Sequence, residues 1–242
     1  MAQNYQSLRD EAINDLKQYM DSLDPIKGTK LAYWIKDYAR FLNQEQTFQS
    51  NELIRYKRGS IIKVHLGYRI GSEEGGLHYA VVMDRADSVN SPVLTVIPLT
   101  SVKPGVDLSR LHRAKVSLGN EVYTLLSSNF NAEIRSAKQH MKEVTDLISG
   151  LKNQEDIDAL TNRLELVDKQ IKYCEKMKRE ADRMKQGSIA LVGQITTISK
   201  IRIFDPKHHN DALSKVRISP ATLDLLDARI QELYGALPPK TE

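Results

Sequence analysis

The chain lacks most of what a disulfide-stapled, metal-clustered or membrane-embedded protein needs. Its single cysteine, Cys174, excludes an internal disulfide and a cysteine-rich zinc site, and it fits a reducing cytosol. No apolar run approaches the roughly 20 residues of a bilayer span, so no membrane segment is expected. The opening stretch MAQNYQSLRDEAINDL has no apolar signal core. A cytoplasmic protein rather than a secreted one is therefore expected. His208 and His209 have no third ligand nearby in sequence and read as exposed, so neither a metal nor another cofactor is called for. A strong charge of one sign is missing too, since the net formal charge is only +4.

What is present is ordinary in bulk: 242 residues, 40% hydrophobic and 27% charged. That suffices for one large globular domain or one to two ordinary ones. The distribution of charge is more telling. Residues 1–52 carry 6 basic and 8 acidic side chains, whereas residues 53–132 carry 10 and 6, a balance of +4. Residues 133–186 and 187–242 are each at +1. A basic excess confined to one segment suits a polyanion such as nucleic acid, and on charge alone a merely solvated surface weighs equally.

Periodicity divides the chain. Leu8, Ala12, Leu16 and Tyr19 share one face of an expected helix over 5–23, and Asp24–Pro25 and Gly28 punctuate it. Leu31, Ile35, Tyr38 and Leu42, with Trp34 beside them, mark a second helix. From Arg58 to Leu126 the period falls to two. Strands are expected over 60–66, 79–83, 93–99, 106–108, 114–116 and 122–125. The period then lengthens again. Ile134, Ala137, Met141, Val144, Ile148 and Leu151 step by three and four. So do Ile157, Leu160, Leu164, Val167, Ile171, Cys174, Lys178 and Ala181 after the connector 150–154. Two heptad seams joined by a short connector predict an antiparallel, coiled-coil-like hairpin. Strand character returns over 187–203, so the hairpin interrupts one sheet rather than separating two. Ser219 and Pro220 then cap a final helix over 221–234.

The expected organisation is a helical extension (1–52), a discontinuous core (53–128 and 187–236), an inserted hairpin (129–186) and a flexible tail (237–242). Between Gly67 and Ser101 the core carries its most distinctive stretch, a glycine-rich loop flanked by short apolar strands. Polar positions sit at the strand ends, where function concentrates.

These motifs, in this order, resemble the PemK/MazF family of toxins. Arg58–Gly59–Ser60 is similar to the family's strand entry. Leu66–Gly67 followed by Gly71–Ser72–Glu73–Glu74–Gly75–Gly76–Leu77–His78–Tyr79 resembles its loop. Ile97–Pro98–Leu99–Thr100–Ser101 resembles its Val-Pro-Leu-Thr-Ser strand, and Gln194 to Arg202 its late strand. The resemblance covers about residues 55–128 and 187–236. It implies an α+β fold built on a small SH3-like antiparallel β-barrel. It also implies a homodimer restrained by an antitoxin, and metal-independent cleavage of single-stranded RNA that leaves 2′,3′-cyclic phosphate and 5′-hydroxyl ends.

Carried over residue by residue, the resemblance makes Thr100 the catalytic threonine. His78 stands where many relatives have an arginine. Arginine is a fixed cation, whereas histidine titrates near neutrality and can move a proton. The exchange shifts weight from charge stabilisation to acid–base work. Arg69, Ser72, Ser101, Gln194, Thr197, Lys200 and Arg202 are the expected RNA contacts. Gly71, Glu73, Gly75 and Gly76 are expected to shape the loop, with Glu73 anchoring backbone amides and the glycines allowing positive φ or close backbone approach. Each residue has a plainer reading: a histidine bonded to its loop, a strand-end Thr–Ser pair bonded to its own backbone, arginines facing solvent. The rival function is a non-catalytic module of the same shape that binds nucleic acid (DNA included) or a protein target. The hairpin carries no chemical motif. Dimer extension, gating of an RNA groove and antitoxin binding are all open to it.

Overall fold

The computed structural model describes residues 2–184 and 187–235, in two compact units. The first joins Met1–Phe48 to Leu66–Gly76, and the second joins Gln49–His65 to Leu77–Glu242. The expected tail, 237–242, lies outside the described residues.

The first unit holds α1 (Ala2–Asp21) and α2 (Pro25–Glu45). Asp24 caps α2: its carboxylate accepts the Ile26 and Lys27 amides at 3.1 and 3.0 Å, and Pro25 takes the first helical position. The Lys27 amide holds the Asp24 carboxyl below its usual range. Leu31 and Phe41 are buried, and the Trp34 ring lies 5.5 Å from Tyr38 and 6.4 Å from Phe41. The expected face of α1 is exposed at Leu8, Leu16 and Tyr19, as is α2 at Tyr38 and Leu42.

The second unit is an antiparallel sheet with helices. Its strands are β1 (Ile61–His65), β2 (Leu77–Val82), β3 (Val93–Ser101), β4 (Val116–Gly119), β5 (Ser188–Ala190), β6 (Thr196–Ser199) and β7 (Ile203–Asp205). The order is β4-β5-β3-β2-β1-β7, with β6 also on β3. Strand β3 is the spine. One edge pairs with β2, and the other pairs first with β6 and then with β5. Residues 188–199 thus run along β3 as one strand, interrupted where Val192–Gln194 bulges out as a single 3₁₀ turn. The path is open rather than closed into a barrel. β7 pairs with β1 through only two residue pairs, and Pro206, which has no amide hydrogen, follows it.

Both sheet faces are buried. Ile61, Val81, Met83, Ile97 and Leu99 pack into one core with Val122, Leu126, Ala181, Met184, Leu223 and Leu226 from the helices. On the other face Ile62, Val64, Ala80, Val82, Leu94, Val96, Ile198 and Ile203 are shielded as well. Strands buried on both faces read as apolar runs rather than clean alternation.

Helices α3 (Glu121–Gly150) and α4 (Gln154–Met184) form the expected antiparallel pair, with Glu143 bonded to Arg163 and His140 to Gln170 at 2.7 Å. Val144, Val167, Cys174 and Ala181 of the expected seams are buried. Met141, Ile148, Leu151, Ile157, Leu164 and Ile171 stay exposed. Helix α5 (Pro220–Tyr234) begins as its cap predicts, with the Thr222 amide donating to the Ser219 hydroxyl at 3.3 Å.

Three strand expectations fail. Residues 122–125 form the first turn of α3, where Val122 and Leu126, four apart, meet the core. A four-residue apolar run cannot by itself distinguish strand from helix. Residues 106–108 lie in a loop ending in a 3₁₀ turn (Leu108–Arg110), because Asp107 accepts the Ser109 amide at 2.9 Å. The strand expected over 114–116 starts at Val116 instead.

Candidate functional site

The register of β2 on β3 ends beside the two expected catalytic residues. Tyr79 pairs with Leu99 and Ala80 with Pro98. The paired register ends at Tyr79 and Leu99, and His78 and Thr100 are the next residues of the two strands, of the same parity as Ala80 and Pro98. Both side chains are half-buried. Thr100 is held on its other edge by Ile189 of β5.

His78 Nδ1 lies 3.2 Å from the Leu99 carbonyl oxygen. A carbonyl only accepts, so the contact requires a proton on Nδ1. The neutral ring then carries its lone pair on Nε2, the atom able to take up a proton. The plainer role, a histidine bonded to its surroundings, is thus real, and it also sets the tautomer that base chemistry needs.

The opposite face at this point is clamped. Lys63 and Tyr79 are a cross-strand pair, and both reach Glu180 of α4. Lys63 Nζ sits 2.9 and 3.0 Å from the two carboxylate oxygens, the Tyr79 hydroxyl donates to Oε2, and Arg183 adds a bond of 2.8 Å. Burial pushes the Glu180 carboxyl up, but Tyr79, Lys63 and Arg183 outweigh it and hold it below its usual range. Burial and Glu180 push the Tyr79 hydroxyl well above its usual range. A second anchor on α4 is Lys176, which bonds Asp205 at 2.6 Å and Asp211 at 3.1 Å. The base of the hairpin therefore fixes the strand that presents His78.

The expected RNA contacts separate. Ser101 is exposed, next to Thr100. Gln194 is half-buried in the 3₁₀ turn that interrupts the late strand. Thr197 is exposed but pairs with Thr95. That is five residues from Thr100 along β3 and of opposite parity, so Thr197 does not join it. Arg202 is half-buried and donates from Nε to the His65 carbonyl at 2.8 Å. Residues 200–202 form a 3₁₀ turn, so the expected alternation of Lys200 and Arg202 along a strand does not occur.

Lys200 is a correction. Its side chain is fully buried: Nζ donates to Asp87 at 2.7 Å and to the Ser88 carbonyl at 2.9 Å, beneath the Tyr56 ring. It meets no solvent and cannot reach a phosphate. A buried lysine requires such a partner.

Arg69, Ser72, Gly71, Glu73, Gly75 and Gly76 belong to the first unit. Arg69 is occupied within its own loop, donating to the Leu66 carbonyl at 2.8 Å and pairing with Glu73 at 3.7 Å. Glu73 thus answers Arg69 rather than backbone amides. The loop closes through Leu66 and Gly76 at 2.7 Å and through Gly76 and Gly67 at 2.7 Å. Gly76 requires glycine for its φ of +89°, like Gly71 at +63°, whereas Gly75 requires it for approach, since a Cβ there would stand 2.8 Å from the Gly67 carbonyl.

Sequence reasoning missed the Glu180 clamp. Its carboxylate is one of eleven acidic side chains in a highly charged hairpin, and no spacing sets it apart. Among the described residues no cluster of three or more histidine, cysteine or acidic residues could hold a metal ion. His208 and His209 are exposed. No described helix is long and apolar enough to cross a membrane.

Residues 57–234 match the family described as PemK-like, MazF-like toxin of type II toxin–antitoxin system, and that span includes the hairpin. No curated protein matches the chain. The chain belongs to the PemK/MazF-like toxins, whose members generally cleave RNA and are paired with an antitoxin.

Proposed function

We propose that this PemK/MazF-like toxin is a cytosolic endoribonuclease that cleaves single-stranded RNA without a metal ion, as a homodimer held in check by its antitoxin. His78 Nε2 takes the proton of a ribose 2′-hydroxyl. The 2′-oxygen attacks the adjacent phosphorus and the bond to the 5′-oxygen breaks. That oxygen leaves with a proton from water, and the remaining hydroxide is neutralised by the His78 imidazolium. The products are a 2′,3′-cyclic phosphate and a 5′-hydroxyl. Thr100 donates its hydroxyl to a phosphate oxygen as charge builds there. Ser101 and Gln194 are the proposed contacts for neighbouring phosphate or base edges.

The observation that carries this reading is the His78 Nδ1 contact with the Leu99 carbonyl at 3.2 Å, which ties the imidazole to the residue next to Thr100 at the end of the β2–β3 register. An imidazole with one nitrogen directed to a carbonyl, close to a strand-end hydroxyl, is the kind of group that proton transfer at a phosphodiester uses.

The test is incubation of the purified protein with a broad RNA pool in EDTA, followed by mapping of the ends. Cleavage that persists in EDTA, leaves 5′-hydroxyl ends and is lost in His78→Ala is expected. Absence of cleavage over the pool, with His78→Ala indistinguishable from the parent, overturns the proposal.

A further inference from the structure

At the other end of β2 the chemistry changes. Arg55, Lys57, Arg58, Arg85 and Arg217 wall a cavity of about 290 Å³ together with one carboxylate, Asp87. That carboxylate is already neutralised by buried Lys200 and accepts the Tyr56 amide at 2.9 Å. The fold holds the wall in place through bonds that leave much of the charge outward. Arg55 donates from Nε to the Asp87 carbonyl at 2.9 Å, and Arg217 donates from Nε to the Arg58 carbonyl at 2.6 Å. Arg58 bonds the Met83 carbonyl and Asp227. Arg55, Lys57, Arg85 and Arg217 are exposed. Among the described residues the side chains of Lys57 and Arg85 have no carboxylate partner.

Five cations converging on a concave surface repel one another. Arg55, Arg58 and Arg217 also brace the fold, but among the described residues no bond of the fold calls for the side chains of Lys57 and Arg85. No aliphatic side chain lines the cavity. Tyr56, its remaining wall residue, is buried with its hydroxyl bonded to the Pro206 carbonyl at 2.7 Å. A peptide partner is normally gripped by apolar anchors in pockets. A phosphodiester backbone is gripped by charge alone, and guanidinium groups match it two bonds at a time. Met83, just past the end of β2, is five residues from His78, about 17 Å at strand rise.

We propose that this cavity is a second, non-catalytic seat for phosphodiester groups of single-stranded RNA, remote from His78 and Thr100. It rests on the RNA reading above for its ligand, but not on cleavage. It holds a flanking part of the strand by charge, without reading bases.

The test uses uncleavable 2′-O-methyl RNA of mixed sequence, about 12 nucleotides long, a length within the usual range of single-strand sites. Fluorescence anisotropy against salt compares the parent with the double variant Lys57→Gln/Arg85→Gln. The slope of log affinity against log salt is expected to become shallower by about 1.4, roughly 0.7 for each phosphate that is no longer neutralised. The charge-conserving pair Lys57→Arg/Arg85→Lys is expected to keep the parental slope. An unchanged slope in the first variant overturns the proposal. So does an equal loss in the charge-conserving pair, which marks a structural effect. A third overturning result is an unchanged RNA slope with weakened binding of poly-glutamate, which assigns the cavity to an acidic protein. A shallower slope in a protein that cuts no RNA supports this seat while refuting the proposed cleavage.

Discussion

The two ends of the β2–β3 ladder differ in the kind of group they offer. At the His78 end the groups are few and nearly uncharged: one imidazole, the hydroxyls of Thr100 and Ser101, and a carbonyl that fixes the tautomer. At the Met83 end there are five cations around one cavity. The first arrangement suits moving a proton, and the second suits holding a polyanion. The same strands present both, because a ladder buried on both faces is rigid and leaves only its ends to vary.

The largest effect that separates the ends is expected from His78→Ala. Losing the proposed general base is expected to lower the single-turnover cleavage rate by about 10²–10⁴-fold. Affinity for uncleavable RNA and its salt slope stay at the parental value. A matching loss of affinity would erase the distinction between chemistry and grip.

Lys200→Ala comes next and reads in stability rather than rate. It leaves the Asp87 carboxylate buried without its counter-charge, at a cost of about 3–5 kcal/mol. Urea denaturation measures it. Lys200 never meets solvent, so its loss is expected to read first in stability; in the variant still folded in buffer the unmasked Asp87 carboxylate, which lines the cationic cavity, also weakens RNA binding. A shallower slope with stability intact would return Lys200 to the RNA contacts.

Glu180→Gln tests how firmly the His78 end is held. Removing the charge from the clamp leaves Lys63 partly buried and unpaired. The expected loss is about 2–3 kcal/mol, and a fall in Tm of about 4–12 °C in a protein of this size. The Glu180 carboxyl is held below its usual range when folded, so its contribution is fully present above the unfolded pKa, near 4.3. It is lost as pH falls through the lower folded value. Below that window the parent and Glu180→Gln are expected to converge in stability, which melting curves across pH will show.

The sequence makes the His78 end legible and hides the other. His78 and Thr100 each stand in a motif with fixed neighbours, and their motifs sit on strands whose apolar runs announce them. Their register needs only the ladder to be seen. The cationic cavity is assembled from Arg55 to Arg58, Arg85 and Arg217, pieces up to 162 positions apart, none of which is unusual where it stands. Its one trace is the +4 balance of residues 53–132. Lys200 misleads for the same reason: a lysine on an expected surface strand looks like a phosphate contact until Asp87, 113 positions away, is placed beside it. The helices are read well where their period is long, as in α4 and α5. The run Val122–Leu125 is misread because four apolar residues fit either period.

The smallest effect is expected at Thr100. In the proposed reaction its hydroxyl gives one hydrogen bond to a phosphate that becomes more charged as the reaction proceeds, and such bonds are worth about 1.5–3 kcal/mol. Thr100→Val keeps the β-branched shape and the pairing with Ile189 but removes the donor. Single-turnover cleavage is expected to fall about 10–100-fold, because each 1.4 kcal/mol is one factor of ten. Thr100→Ser restores the donor and is expected to recover most of the rate. If Thr100→Val cuts as fast as the parent, the hydroxyl makes no bond in the transition state. The charge that builds on the phosphate must then be met by another group at the His78 end.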